Sequence, residues 1–143
     1  MITLKELNQH GFPTTPEIDD NLNKLLTQIN KIRAAYAVAM TVSSGLRSDS
    51  FNASTPGAAK NSAHCVGLAV DIADPDGKLM QWVIDNLQLV ADCGFHIEDF
   101  NWCPNWVHFG LRAPSSGKRI FIPNAHAPLV NRWNGEYDHS LDL

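Results

Sequence analysis

The segment SAHCVGLAVD, residues 62–71, places His64 seven positions ahead of Asp71, with Gly67 between them. Imidazole and carboxylate both bind divalent metals, and a hydrolytic zinc site takes three protein ligands and keeps one position open. A glycine turn followed by a strand lets His64 and Asp71 approach one point from adjacent stretches of backbone. The third ligand must come from elsewhere in the chain. WVHF, residues 106–109, is the best source. His108 falls mid-strand between Val107 and Phe109, where an unpartnered imidazole would be costly to bury. His10, His96, His126 and His139 are read as packing or surface residues, the commoner role of a lone histidine.

Those residues need elements to hold them. Residues 2–10 read as a short helix or turn. T-T-P-E at 14–17 supplies a capping threonine, a helix-starting proline and a first-turn acid. Ile18, Leu22, Leu25, Ile29, Ile32 and Tyr36 follow at helical spacing, predicting a helix with one core-facing stripe. Residues 37–43 read as a buried strand. Residues 44–61 are polar and punctuated by glycine and proline, which predicts a long loop of the kind that often carries function. LAVDI at 68–72 alternates as a strand does. Asp76 is placed to cap a helix over 77–92, with Leu79, Val83, Leu87 and Val90 inward and Gly94 ending it. Residues 95–100 and 106–111 read as a hairpin around an N-W-C-P-N turn, and 118–122 as a further strand. The expected fold is α+β, two main helices packed on a small, mostly antiparallel sheet. A single domain is expected over 1–143, with its core at roughly 17–122 and an irregular C-terminal wrap over 123–143.

Composition narrows the partners. The chain has 143 residues, 44% of them hydrophobic, and a net charge of -4. Its basic residues do not gather into a patch, so a nucleic-acid footprint is not supported. No apolar stretch approaches the ~20 residues that span a bilayer. Cys65, Cys93 and Cys103 are odd in number, and MITLKELNQHGFP has neither the basic nor the apolar region of a secretory signal. Synthesis in a reducing cytoplasm with free thiols is expected.

Three stretches together resemble a known family. TVSSGLRS (41–48), SAHCVGLAVDI (62–72) and WVHF (106–109) are similar, in order, to the patterns S-G-x-R, S-x-H-x-x-G-x-A-x-D and W-x-H of the zinc D-Ala-D-Ala carboxypeptidases. That family includes VanX- and VanY-type enzymes and phage L-alanyl-D-glutamate endolysins, and the likeness covers roughly residues 17–112. An ordered set of motifs is far more specific than any one alone. The resemblance implies a hedgehog/D-Ala-D-Ala metallopeptidase-like fold, one zinc ion on His64, Asp71 and His108, and Gly67 making the turn between the first two. It implies that Arg47 and Ser62 hold substrate, Arg47 by pairing with a carboxylate through two parallel hydrogen bonds. The activity implied is hydrolysis of peptidoglycan stem peptides at D-Ala-D-Ala or L-Ala-D-Glu. A monomeric phage lysis enzyme or virion wall hydrolase is expected, made without a signal peptide and acting on the wall after release or as part of the virion.

The general base departs from the pattern. Many members of the family carry Glu or Asp three residues before the last histidine; here Asn105 stands there and has no acid–base chemistry. The preceding strand, GFHIEDF, offers substitutes: His96, Glu98 and Phe100 share one face, Asp99 the other. If 95–100 pairs with 106–111, Glu98 reaches the site from the neighbouring strand. Glu98 is therefore assigned as the base, with Asp99 and His96 as alternatives. Cys65 and Cys93 read as small core residues and Cys103 as a turn residue, thiolate ligation being its lesser alternative. Trp102, Trp106 and residues 131–138 read as packing, with lining or covering the cleft as alternatives, and Asp74 and Asp76 as turn and cap residues. Asn105 keeps open a second function, a non-catalytic zinc-binding module that recognises wall fragments or a protein partner.

Overall fold

Side-chain caps set where the first helices begin. In the computed structural model, which describes every residue except 57, 124 and 125, Thr3 and Glu6 form a reciprocal capping box at the start of α1 (Leu4–Leu7). The parts of the expected 44–61 loop and of the C-terminal wrap that fall on those three residues lie outside the described structure. Thr15 accepts from the Ile18 N–H and Pro16 opens α2 (Pro16–Tyr36), which buries Leu22, Leu25, Ile29 and Ile32 on one stripe. Ala37 ends α2 in the left-handed conformation, with φ at 62°, and leaves Val38 53% exposed. The expected strand over 37–43 is thereby corrected: the left-handed cap turns the chain out into solvent, and β1 is only Val42–Ser44.

The expected long loop over 44–61 is corrected too. Ser48 accepts from the Phe51 N–H and starts α3 (Asp49–Ser54), a single capped turn and a half within the polar stretch. Strand β2 follows at Ala69–Ala73. The helix expected over 77–92 is two helices, α4 (Lys78–Asp85) and α5 (Leu87–Asp92). Asn86 breaks it by leaving helical geometry and bonding the Trp82 carbonyl through its side chain. Asp76 accepts from the Lys78 N–H, but the buried cap is Asp74, which accepts from Leu79 and Met80.

The hairpin forms as expected. Strand β3 (His96–Glu98) and strand β4 (Trp106–Gly110) are antiparallel, with a 3-10 turn at Phe100–Trp102 between them. Strand β5 (Ile120–Phe121) runs parallel to β3. The sheet order is β1-β2-β4-β3-β5, mostly antiparallel, with five α-helices among the described residues, so the fold is α+β as the pattern predicted. Val70, Ile72, Ile97, Val107 and Phe109 point from the sheet into the core shared with α2, α4 and α5. The alternate residues point the other way.

Irregular backbone is pinned by two arginines, Arg119 buried and Arg132 half-buried. Arg132 bonds the Phe100 and Trp106 carbonyls and pairs with Asp74 at 3.4 Å. Arg119 bonds the Phe95 and Leu141 carbonyls, and its own N–H bonds Asp142. These contacts hold the tail against the sheet without further strands.

Candidate metal centre

Strand register builds the floor of the site. Asp71 on β2 lies opposite His108 on β4, and Ser44 on β1 lies opposite Asp71. Because Ile97 faces Phe109 across β3 and β4, the next pair in that register is Glu98 with His108. Glu98 in turn faces Phe121 on β5. Ser44, Asp71, His108, Glu98 and Phe121 thus form one row across five strands, their side chains on the same face. All five line a cleft of about 880 Å³.

His64 joins this row from outside the sheet. It sits in the 3-10 turn Ala63–Val66, started by Ser62, whose hydroxyl accepts from the His64 N–H, and closed by Gly67 at φ 77°. A methyl group on Gly67 would come within 3.0 Å of the Leu22 side chain on α2. Glycine therefore meets two demands there, a left-handed backbone and close helix packing. The His64 Nδ1 bonds the Gly45 carbonyl at 2.9 Å, which puts a proton on Nδ1 and turns Nε2 toward the Asp71 Oδ1 at 3.3 Å. On the other side His108 brings Nδ1 to 2.8 Å from the same oxygen.

One ligand atom from each of His64, Asp71 and His108 lies within 4.8 Å of the others. Two imidazole nitrogens and a carboxylate oxygen are a donor set that suits zinc. The Gly45 carbonyl behind His64 is the kind of outer contact that fixes the tautomer of a metal-binding imidazole. On chemistry and convergence the residues fit the metal. They also stabilise one another: burial alone would raise the Asp71 pKa, but the His64 and His108 imidazoles hold it well below the usual carboxylate range. Burial would likewise lower His108, yet its hydrogen bond to Asp71 and that charge push it up.

Arg47 reaches the rim of the cluster, 3.6 Å from the Asp71 Oδ2. Its Nε donates to the Ser44 hydroxyl at 3.1 Å and its Nη1 to the Asn52 side-chain Oδ1 at 3.3 Å. Asn52 is buried and also donates to the Ala59 carbonyl, tying Arg47 to the loop that walls the cleft. Arg47 and Ser62 both line the cleft.

The three candidates for the base separate. Glu98 is half-buried in the cleft, its Oε2 accepting from the Cys103 thiol at 2.9 Å. Asp99 caps the 3-10 turn by accepting from Asn101, and His96 is buried against the Lys118 carbonyl. Neither lines the cleft, and nor does Asn105, whose carbonyl accepts from Asp74 while its side chain is exposed. Of the other histidines, His10 lies against Phe12 and Phe51, and His139 pairs with Asp142.

Some lining residues were not singled out in the sequence. Phe121 stands against His108, with ring centroids 6.2 Å apart, and the strand register that puts it there cannot be read from local pattern. Trp102 and Trp106 do line the cleft, Trp102 with its indole N–H on the His126 carbonyl. Among the described residues, the tail's contribution comes from Pro123, His126 and Leu129 rather than from residues 131–138. Cys103 is fully buried, unlike an ordinary turn residue.

Neither curated proteins nor solved structures return a match to the chain. A family model described as Peptidase M15 matches residues 1–109, most of the chain and every residue from His64 to His108. Peptidases of that family depend on zinc, which is the metal the convergent donors suit. The protein therefore belongs to the Peptidase M15 family of metallopeptidases.

Proposed function

We propose that the protein hydrolyses peptide bonds in the stem peptides of bacterial peptidoglycan, with one zinc ion held by His64, Asp71 and His108. One observation supports it: the sheet register puts a carboxylate, Glu98, opposite His108, beside the cluster of His64, Asp71 and His108 on the floor of one cleft. Bound zinc would supply Lewis acidity to the scissile carbonyl and lower the pKa of a water toward ~7. Glu98 takes the proton of the attacking water and returns it to the leaving amine. Arg47, braced by Ser44 and Asn52, pairs with a substrate carboxylate. The Ser62 hydroxyl accepts from the His64 N–H and has its own hydrogen left to donate to a substrate carbonyl. Trp102, Trp106 and Phe121 give the cleft apolar walls.

A cleft of about 880 Å³ lies toward the upper end of ligand-site volumes and has room for several residues of extended peptide. That favours an internal bond such as L-Ala-D-Glu over release of a terminal D-alanine. The role proposed is that of a monomeric phage lysis enzyme or virion wall hydrolase, reaching the wall after release or with the virion. Digestion of purified peptidoglycan with the zinc-loaded protein, followed by mass spectrometry of the products, tests this. Stem peptides cleaved after L-alanine are expected, and free D-alanine would move the assignment to carboxypeptidase. Tight wall binding with no new amino groups would sink the catalytic reading in favour of the binding module.

A further inference from the structure

Strand β3 ends at Glu98, and the chain turns away at Asp99 into the 3-10 turn Phe100–Trp102. The backbone therefore orients only one side of Glu98, and a half-buried glutamate has three side-chain torsions free to vary. The turn solves this by folding back: the Cys103 N–H bonds the Phe100 carbonyl, and the side chain of Cys103 is carried beneath Glu98. The Cys103 sulfur is fully buried and lies 2.9 Å from the Glu98 Oε2. Burial and the nearby Glu98 charge push its pKa up, so the sulfur keeps its hydrogen and acts as a donor. A thiol donates weakly in water, but a carboxylate is a strong acceptor and no water competes at a buried sulfur.

We propose that Cys103 is a positioning residue for the general base: its S–H holds the Glu98 Oε2 and leaves Oε1 as the oxygen that handles the proton. The inference rests on Glu98 being the base. It assigns Cys103 a role that its place in an N-W-C-P-N turn does not suggest. It also excludes thiolate ligation, since a sulfur committed to Glu98 is not a fourth donor to the cluster of His64, Asp71 and His108.

Two measurements test it. In the infrared S–H stretching region of the full-length protein, the Cys103 band is identified by its loss in Cys103→Ser. Glu98→Gln is expected to move that band to higher wavenumber, because an amide oxygen is a weaker acceptor than a carboxylate. On a soluble stem-peptide substrate, Cys103→Ala is expected to lower kcat by about 3- to 10-fold with KM within about twofold and bound zinc unchanged. Cys103→Ser, which keeps a donor, is expected to recover most of that loss. An S–H band indifferent to Glu98→Gln overturns the contact. Equal impairment in the Ala and Ser variants, or loss of zinc in either, overturns the positioning role. Should Glu98→Gln keep its kcat, the base assignment fails instead, and the infrared comparison still reports whether the thiol contact exists. That comparison also decides the contact if Cys103→Ala does not fold.

Discussion

Asp71 is the residue on which the site converges, with His64, His108 and Arg47 all within 3.6 Å of its carboxylate. A buried carboxylate is tolerated only when paired, and a bound dication would satisfy the same oxygens. His64→Ala, Asp71→Asn and His108→Ala are each expected to reduce bound zinc from about one equivalent to a small fraction, read by metal analysis after dialysis. Retention of a full equivalent in any of them would remove that residue from the ligand set. Glu98→Gln should behave differently. Bound zinc stays, while kcat on a stem peptide falls by about 10²- to 10⁴-fold, the usual worth of a positioned acid–base group.

At the scale of elements, two features bring His64, Asp71 and His108 together: the antiparallel pairing of β2 with β4, and the short turn that carries His64. Slipping β4 by one residue would move His108 to the core face and Val107 into the cleft, so the core residues Val107 and Phe109 enforce the register. The turn is secured by Gly67, where a side chain would be strained and would crowd Leu22. Gly67→Ala is expected to cost about 1–3 kcal/mol in thermal or denaturant unfolding, and to weaken zinc binding because the displaced turn carries His64. A stability unchanged within about 0.5 kcal/mol would show that α2 yields easily at that contact.

Across the whole molecule, the C-terminal tail is tied to the sheet edge through Asp142. Its carboxylate accepts from the Arg119 N–H, from the Tyr137 hydroxyl at 2.6 Å and from His139 at 3.0 Å. Partial desolvation would raise its pKa, but those bonds outweigh it and pull the carboxyl down to about 2. A carboxyl depressed in the folded state stabilises the fold above its unfolded pKa, near 3.9, and that contribution fades as pH falls through about 2. Wild type should therefore exceed Asp142→Asn in stability at pH 5–7, with the gap closing between about pH 4 and pH 2, as followed by denaturant unfolding at each pH. A gap independent of pH would assign the effect to packing.

Sequence alone determined the chemistry on offer and much of its scaffold. His64, Gly67 and Asp71 are close in the chain, so their spacing carried the turn-and-strand geometry that brings two ligands together. The α2 stripe and the β3–β4 hairpin were legible for the same reason, because each depends on a local period of burial. Where the outcome hung on distant backbone, the pattern misled. Residues 37–43 are apolar enough for a strand, yet Ala37 caps α2 in the left-handed conformation and directs residues 37–39 into water, leaving only Val42 and Ser43 of the stretch in β1. The polar run from 44 conceals α3, and Asn86 splits an otherwise periodic helix by capturing the Trp82 carbonyl. Tertiary structure decided which candidate for the base faces the cleft. The sequence favours Glu98 over Asp99 and His96 only on condition that β3 pairs with β4, and that pairing puts Glu98 opposite His108 while the other two go to structural partners. Periodicity tells which face a residue shares with its own strand, but not which strand lies beside it, and that neighbour sets which carboxylate faces His108.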